Sequence, residues 1–233
     1  MSILSGHVRT SQGIYLKAWY MRMLSPFDAE AVKYDQWFES GRGQKIFEIE
    51  KDCLKRFIET GSDLWLEVGV GSGRFATTFG IASGVDPSCR MLGLARDRGI
   101  RVFCGVGEYL PCRDNTFDGI LMVTTICFLA DPVRTISECH RSLRPNGKLV
   151  VGIVPAESPW GRLYTDKGRE GHPLYSRARF YTCRQIIEMG EATGFVFEQA
   201  ASCLLNKPED DPLAEHAEGA NEAAGFAAMR FRK

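Results

Sequence analysis

The sequence predicts an α/β protein with a doubly wound, mostly parallel sheet, and three observations carry that expectation. Apolar runs and helix-compatible segments alternate from Leu64 to Val154, the order of a parallel sheet covered on both faces. The first run, Leu64-Trp65-Leu66-Glu67-Val68, opens into Gly69-Val70-Gly71-Ser72-Gly73 and then a helix-compatible stretch. Such a loop lets backbone N–H groups approach a ligand with no Cβ in the way. An acid, Asp86, closes the second run 17 residues beyond Gly69, where nucleotide-binding folds take up ribose hydroxyls. The 233 residues suit one domain and are short for two.

Taken in order, residues 1–25 carry no readable pattern: Met21 and Met23 are alternative starts, and a loose N-terminal helix is the other reading. Phe27 to Phe38 reads as a helix offering Tyr34, Trp37 and Phe38 to one face, and Gly41 to Gly43 breaks it. Ile46, Phe47, Ile49, Glu50, Leu54, Phe57 and Ile58 then recur at helical spacing up to Gly61. Residues 1–60 are therefore expected to be a helical cap. The expected core, residues 62–154, continues with a short helix from Arg74 to Phe79 and a strand from Ala82 to Asp86. Val102 to Cys104 is the third strand and Phe117 to Val123 the fourth. A helix from about Asp131 to Leu143, a turn at Arg144 to Gly147 and a strand from Lys148 to Val154 complete it.

The alternation fails between Pro155 and Tyr181, a stretch rich in Gly, Pro, Arg and aromatics that reads as a substrate lid over 155–181. Thr182-x-x-Gln185 is a capping box opening a helix that ends near Gly194. Phe195 to Leu204 and Gly225 to Arg232 read as two strands in a hairpin at the sheet edge, joined by a long connection, Asn206 to Ala224, with no assigned role. The whole, 1–233, is expected to be one domain, its last part (182–233) being this helix and hairpin.

Composition narrows the function. Lys plus Arg equals Asp plus Glu at 29 each, so no net field gathers nucleic acid or anionic membrane, and neither is expected as a partner. No apolar run approaches a bilayer span, and Met1 to Thr10 lacks a secretory signal. The eight cysteines form no C-x-x-C pair, and His7, His140, His172 and His216 are scattered. Neither a metal site nor a disulfide framework is expected, and a reducing cytoplasm fits this usage. Oligomeric state is not readable.

The glycine loop has the spacing G-x-G-x-G, and Arg74 stands where a dinucleotide fingerprint has its third glycine. That departure, with Glu67 two residues before the first glycine, points away from a nicotinamide and towards S-adenosylmethionine. Asp86-Pro87-Ser88 also reads as a helix start, with Asp as cap and Pro at the first helical position. The ribose and cap readings are compatible.

Four segments in order, LEVGVGSGRF, GVDPS, GEYLPCRDNTFDGI and RSLRPNGKLVVGIV, resemble the class I S-adenosylmethionine-dependent methyltransferases. The branch resembled is that of the ubiquinone/menaquinone biosynthesis C-methyltransferases (methyltransferase type 11), and the likeness covers roughly residues 30 to 200. It implies a Rossmann-like, seven-stranded sheet, mostly parallel with an antiparallel last strand. It also implies that Gly69, Gly71 and Gly73 approach the methionine part of the cofactor, with Glu67 near its ammonium. Asp86 and Pro87 would lie at the ribose, and Gly107 and Glu108 beside the adenine. Val106 replaces the family's acid two residues before that Glu. Tyr34 matches a position whose hydroxyl reaches the cofactor carboxylate, the alternative being a core tyrosine. Thr124 would touch the cofactor and Phe128 wall the pocket. Cys127-Phe128 stands where many relatives carry a histidine, and the Asn/Asp-Pro-Pro-aromatic motif of nucleic-acid amine methylation is missing there. The stretch MVTTICFLADP also resembles a small group of prokaryotic methyltransferases, some bearing small-amine labels.

Substrate selection is expected from the lid. Trp160, Tyr164 and Tyr175 offer an aromatic wall suited to a cationic amine, whereas Arg177 and Arg179 suit a carboxylate. His172 is the general-base candidate and Tyr164 the second catalytic candidate; a solvated loop with pinned aromatics is the plain alternative. The expected reaction is methyl transfer from S-adenosyl-L-methionine to a small molecule at N, O, C or S. A non-catalytic S-adenosylmethionine-binding regulatory or partner protein is the alternative, and a nicotinamide oxidoreductase is opposed by Arg74 and the terminal hairpin.

Overall fold

The computed structural model describes residues 25–58 and 64–233; the readings made on 1–24 and on the end of the second helix near Gly61 fall outside them. Ser25 precedes helix α1 (Pro26–Trp37), with proline in its first turn. Helix α2 (Gly41–Lys55) starts at the glycines that the sequence suggested as a break, because the Ser40 side chain accepts from Gly43 N and caps it.

Eight strands form one sheet: β1 (Trp65–Val68), β2 (Ser83–Asp86), β3 (Arg101–Cys104), β4 (Phe117–Val123), β5 (Leu143–Ile153), β6 (Val196–Cys203), β7 (His216–Glu218) and β8 (Phe226–Arg232), in the order β3-β2-β1-β4-β5-β8-β6-β7. Pairing is parallel from β3 to β5, and β8 is antiparallel to both β5 and β6. Two expectations are corrected here. The sheet has eight strands rather than seven, because the 206–224 connection contributes β7 beyond the expected antiparallel pair of β6 and β8. In that pair β8 lies between β5 and β6, where its residues Phe226 to Met229 are wholly buried. The Arg144–Gly147 turn lies inside β5 as an irregularity, with Asn146 at a φ of 65°.

Residues alternate across the sheet with a period of two. Trp65, Leu121, Val123, Val150 and Ala228 face a layer made by α2, helix α3 (Arg74–Phe79) and helix α4 (Cys89–Asp97). Leu66, Ile120, Met122, Val151 and Met229 face helix α5 (Pro132–Ser142) and helix α7 (Cys183–Ala192). Strands β1 and β4 are buried on both faces, which is why they read as continuous apolar runs. Asp131 caps α5 through Arg134 N, and Thr182 with Gln185 forms the expected capping box on α7.

The expected lid is structured. It holds helix α6 (Pro159–Arg169), capped by Ser158, and a single turn of 3-10 helix at Tyr175–Arg177. Arg179 N donates to Cys127 O at 2.7 Å, pinning this segment to the chain leaving β4. No helix among the described residues is long and apolar enough to cross a membrane.

Candidate cofactor and acceptor site

Strand β1 delivers the chain to a loop in which Gly69, Gly71 and Gly73 all have positive φ, at 74°, 51° and 83°. Each would strain any other residue. Gly69 N and Val70 N both donate to Val85 O, so the loop is clamped to the end of β2. At that end Asp86 is buried, its Oδ1 accepting from Ser88 N at 2.8 Å and its Oδ2 from Gly71 N at 3.0 Å. The helix cap is Ser88, not Asp86: its hydroxyl accepts from Met91 N, and α4 begins at Cys89. Asp86 is thereby left to face the cavity, and burial pushes its carboxyl up to about 6.

A cavity of about 320 Å³ opens above these strand ends. Of the residues picked from the sequence, Tyr34, Gly69, Gly71, Asp86, Pro87, Gly107, Glu108 and Thr124 line it, with Val106 and Phe128. Glu67 and Gly73 stand behind it. The Glu108 carboxylate is committed elsewhere, accepting from Ala130 N and Asp131 N at 3.0 and 3.1 Å. Gly107 is a packing glycine, since a Cβ there would meet Thr135 at 2.6 Å.

Glu67 is 2% exposed, and its Oε2 has no hydrogen-bond partner. Desolvation raises its carboxyl well above the ordinary value, against a hydrogen bond from the Ala76 backbone. A buried, half-satisfied acid beneath a glycine loop is costly alone and suited to a cationic amino group. With Asp86 facing the cavity, the donor and acceptor set fits an amino acid joined to a ribose.

Sequence reasoning missed how α1 is held over this cavity. Phe27 and Tyr34 project from α1 into the lining, Phe27 packing edge-on against Phe128 at 5.0 Å. Asp35, near the end of the same helix, receives Arg74 Nε and Arg98 Nη2, each at 2.8 Å, and Arg98 also donates to Ser72 O. Those two guanidiniums hold the Asp35 carboxyl down to about 2 despite partial burial. At the other end, Ser88 Oγ donates to Asp28 Oδ1 at 2.7 Å. Arg74, which excluded the dinucleotide fingerprint, thus ties the cover helix to the start of α3, while Arg98 ties it to the glycine loop.

Thr124, the residue after β4, has a φ of 47°, a strained value for a β-branched residue. Tyr34 and Thr124 both line the cavity, so cover helix and strand end meet at this point. Behind Tyr34 lies an interior polar group. Glu50, on α2, is 9% exposed and makes no ion pair among the described residues, and burial pushes its carboxyl up to about 8. It acts electrostatically on Tyr34, Tyr164 and Tyr175, whose phenols are all raised chiefly by burial. Tyr164 and Tyr175 are 4.7 Å apart, with Phe180 and Trp160 against Tyr164. His172 does not line the cavity: it stacks on Tyr175, and its Nδ1 accepts from Leu174 N and Tyr175 N in the turn it belongs to. Tyr164 is likewise outside the lining, in this aromatic layer.

A doubly wound sheet with its ligand cavity at the carboxyl ends of β1, β2 and β4 defines a nucleotide-type binding protein. The comparisons carry this further. Residues 66–151 match the methyltransferase domain family. An uncharacterised protein of Mycobacterium tuberculosis is 38% identical over 204 residues, covering 86% of this chain and 71% of that one. A demethylmenaquinone methyltransferase of a Mycobacterium species is 28% identical over 89% of this chain and 86% of its own. The crystal structure of a Thermotoga maritima S-adenosylmethionine-dependent methyltransferase, described as a possible histamine N-methyltransferase, superposes with a TM-score of 0.81. It is 36% identical and covers 89% of this chain and 98% of that one. The chain belongs to the class I S-adenosylmethionine-dependent methyltransferases, and S-adenosylmethionine is its cofactor.

Proposed function

We propose that this enzyme methylates a small molecule carrying a basic nitrogen, and that the nitrogen is drawn to the Tyr34 side of the cavity by the field of the buried Glu50. One observation carries the reading: a buried carboxyl without an ion pair among the described residues, whose field reaches Tyr34 in the cavity lining. An isolated buried acid is destabilising, and an incoming ammonium is the partner that would relieve it. The Tyr34 face adds cation–π attraction of about 0.5–2 kcal/mol. The Thermotoga relative's description supports the same class of acceptor.

S-adenosylmethionine supplies a methyl group already activated as a sulfonium, so the protein has mainly to align the acceptor and exclude water. Glu67 would hold the cofactor's amino group and Asp86 its ribose, while Gly69 and Gly71 allow close approach of the loop. The cover helix, locked by Asp35 with Arg74 and Arg98, closes the cavity with Phe27 and Tyr34. Thr124, facing Tyr34 across the lining, forms the wall on which the acceptor is placed.

The test is S-adenosylhomocysteine production with a panel of small amines, phenols, thiols and quinols, repeated with Glu50→Gln. Turnover of amines is expected, with KM raised about ten- to a hundredfold in the variant, from loss of a charge-assisted contact of about 1.5–3 kcal/mol. Turnover confined to quinols or phenols would overturn the amine reading while keeping methyl transfer. Binding of S-adenosylhomocysteine with no turnover of any class would favour the non-catalytic alternative.

A further inference from the structure

The fold brings together three side chains that lie far apart in sequence and outside the cofactor cavity. Cys53 is in the last turn of α2, Cys203 is the final residue of β6, and His216 is the first of β7. Their ligand atoms, one from each side chain, all lie within 4.8 Å of one another. Both cysteines are fully buried, whereas His216 is exposed at the edge of the sheet. Cysteines and histidines that looked scattered along the chain therefore form a sulfur–sulfur–nitrogen triangle.

Several contacts fix that triangle from outside it. Cys203 and His216 are direct partners across the β6–β7 ladder, so their relative position is set by backbone register. Ser202 Oγ donates to Gly219 O at 2.8 Å and accepts from Asn221 N at 3.0 Å, closing the far end of β7. An ion pair from Arg56 to Glu218 joins the end of α2 to the same strand. The eighth strand, an addition to the expected seven, is what presents the histidine.

We propose that Cys53, Cys203 and His216 form a binding site for a divalent zinc ion. Zinc takes two thiolates and one imidazole readily, at about 2.3 Å for sulfur and about 2.0–2.1 Å for nitrogen. Tetrahedral placement at those lengths sets ligand atoms about 3.6–3.8 Å apart, so the observed triangle, within 4.8 Å, contracts by at most about 1.2 Å on loading. Soft sulfur donors select zinc over magnesium or calcium. Both thiols lose their protons to solvent on binding, and the neutral imidazole gives a lone pair, so no oxidant or reductant is involved. The fourth position is left for water or an external ligand. None of the three residues lines the cofactor cavity, so the ion acts as a clasp between α2, β6 and β7.

The experiment is metal analysis of the full chain purified without chelators, followed by cobalt(II) titration of the metal-free protein. One equivalent of zinc is expected, with intense cobalt–thiolate absorption that zinc abolishes. Cys203→Ser should remove that absorption, and His216→Ala should weaken zinc affinity at least tenfold while leaving S-adenosylhomocysteine affinity unchanged. Should Cys203→Ser not fold, His216→Ala and the wild-type cobalt spectrum still decide, because His216 is on the surface. Absence of thiolate-to-cobalt absorption in reduced wild-type protein would overturn the site. So would a Cys53–Cys203 disulfide as the resting state under reducing purification, or zinc affinity unaltered in His216→Ala.

Discussion

Asp86→Asn separates binding from folding at a single position. In the free protein the carboxylate accepts from Ser88 N and Gly71 N, and it titrates near 6 where an ordinary aspartate titrates at 3.8. Burial therefore makes ionisation cost about 3 kcal/mol more than in the unfolded chain at neutral pH. The amide removes that cost but carries only one acceptor oxygen, so one of the two backbone donors faces an NH₂ group, a loss of about 1–3 kcal/mol. The two effects oppose each other, and urea unfolding should move by no more than about 1–2 kcal/mol. Affinity has no such compensation. Losing charge-assisted hydrogen bonds to the ribose hydroxyls costs about 1.5–3 kcal/mol, a ten- to 150-fold weaker dissociation constant for S-adenosylhomocysteine by calorimetry. The sign with pH follows. The folded carboxyl is raised, so the free protein loses stability as pH rises from about 4 to 6, and a ligand bound to the ionised form relieves this. Binding should be level above about pH 7 and weaken below pH 6 by up to tenfold per unit, with the variant flat over that range. An Asp86→Asn protein that folds and binds within threefold of wild type would refute the ribose role.

Gly71→Val should cost about 1–2 kcal/mol of stability, because a β-branched residue is forced to a φ of 51°, and should weaken S-adenosylhomocysteine binding more than tenfold. Equal affinity in a folded variant would mean that the loop does not face the ligand. Arg74→Ala leaves Asp35 with Arg98 alone; a loss of about 1–3 kcal/mol is expected, seen as faster proteolysis within residues 25–58 and weaker cofactor binding, and an unchanged digestion pattern would remove the clasp. Gly119→Ala places a Cβ 2.2 Å from the Trp65 indole and should lower the melting temperature through overpacking of about 1–3 kcal/mol. Gly93→Ala, in the interior of α4 with nothing within 4 Å, should raise stability by about 0.4–1 kcal/mol. If both glycine variants melt alike, the packing of the sheet is not as described.

The cofactor half of the site was legible because its chemistry is local. Gly69 to Gly73 and Asp86 sit on consecutive strand ends, and the parallel sheet puts consecutive strand ends side by side. What was illegible depends on contacts between distant segments. Arg74 and Asp35 are 39 residues apart, and Cys53 meets Cys203 only because α2 packs under the end of β6. Helix α6 was hidden by Pro159, Gly161 and Gly168, which read as breakers. In the fold Pro159 sits in the first turn, where no intrahelical N–H is required. The glycines allow the helix to touch backbone, since a Cβ would lie 2.2 Å from Pro155 O at Gly161 and 2.5 Å from Tyr175 O at Gly168. Strand β7 escaped because three residues at an exposed edge carry no alternating apolar pattern. The antiparallel last strand was recognised, but its place between β5 and β6 is not written in its own pattern.

The cavity above β1 and β2 would hold S-adenosylmethionine through Glu67 and Asp86. Calorimetric titration of the purified protein with S-adenosylhomocysteine and, separately, NADH reads this out. Micromolar binding of one equivalent of S-adenosylhomocysteine with no heat from NADH is predicted, together with a large loss of affinity in Glu67→Ala. Binding of NADH, or S-adenosylhomocysteine affinity indifferent to Glu67, would contradict it.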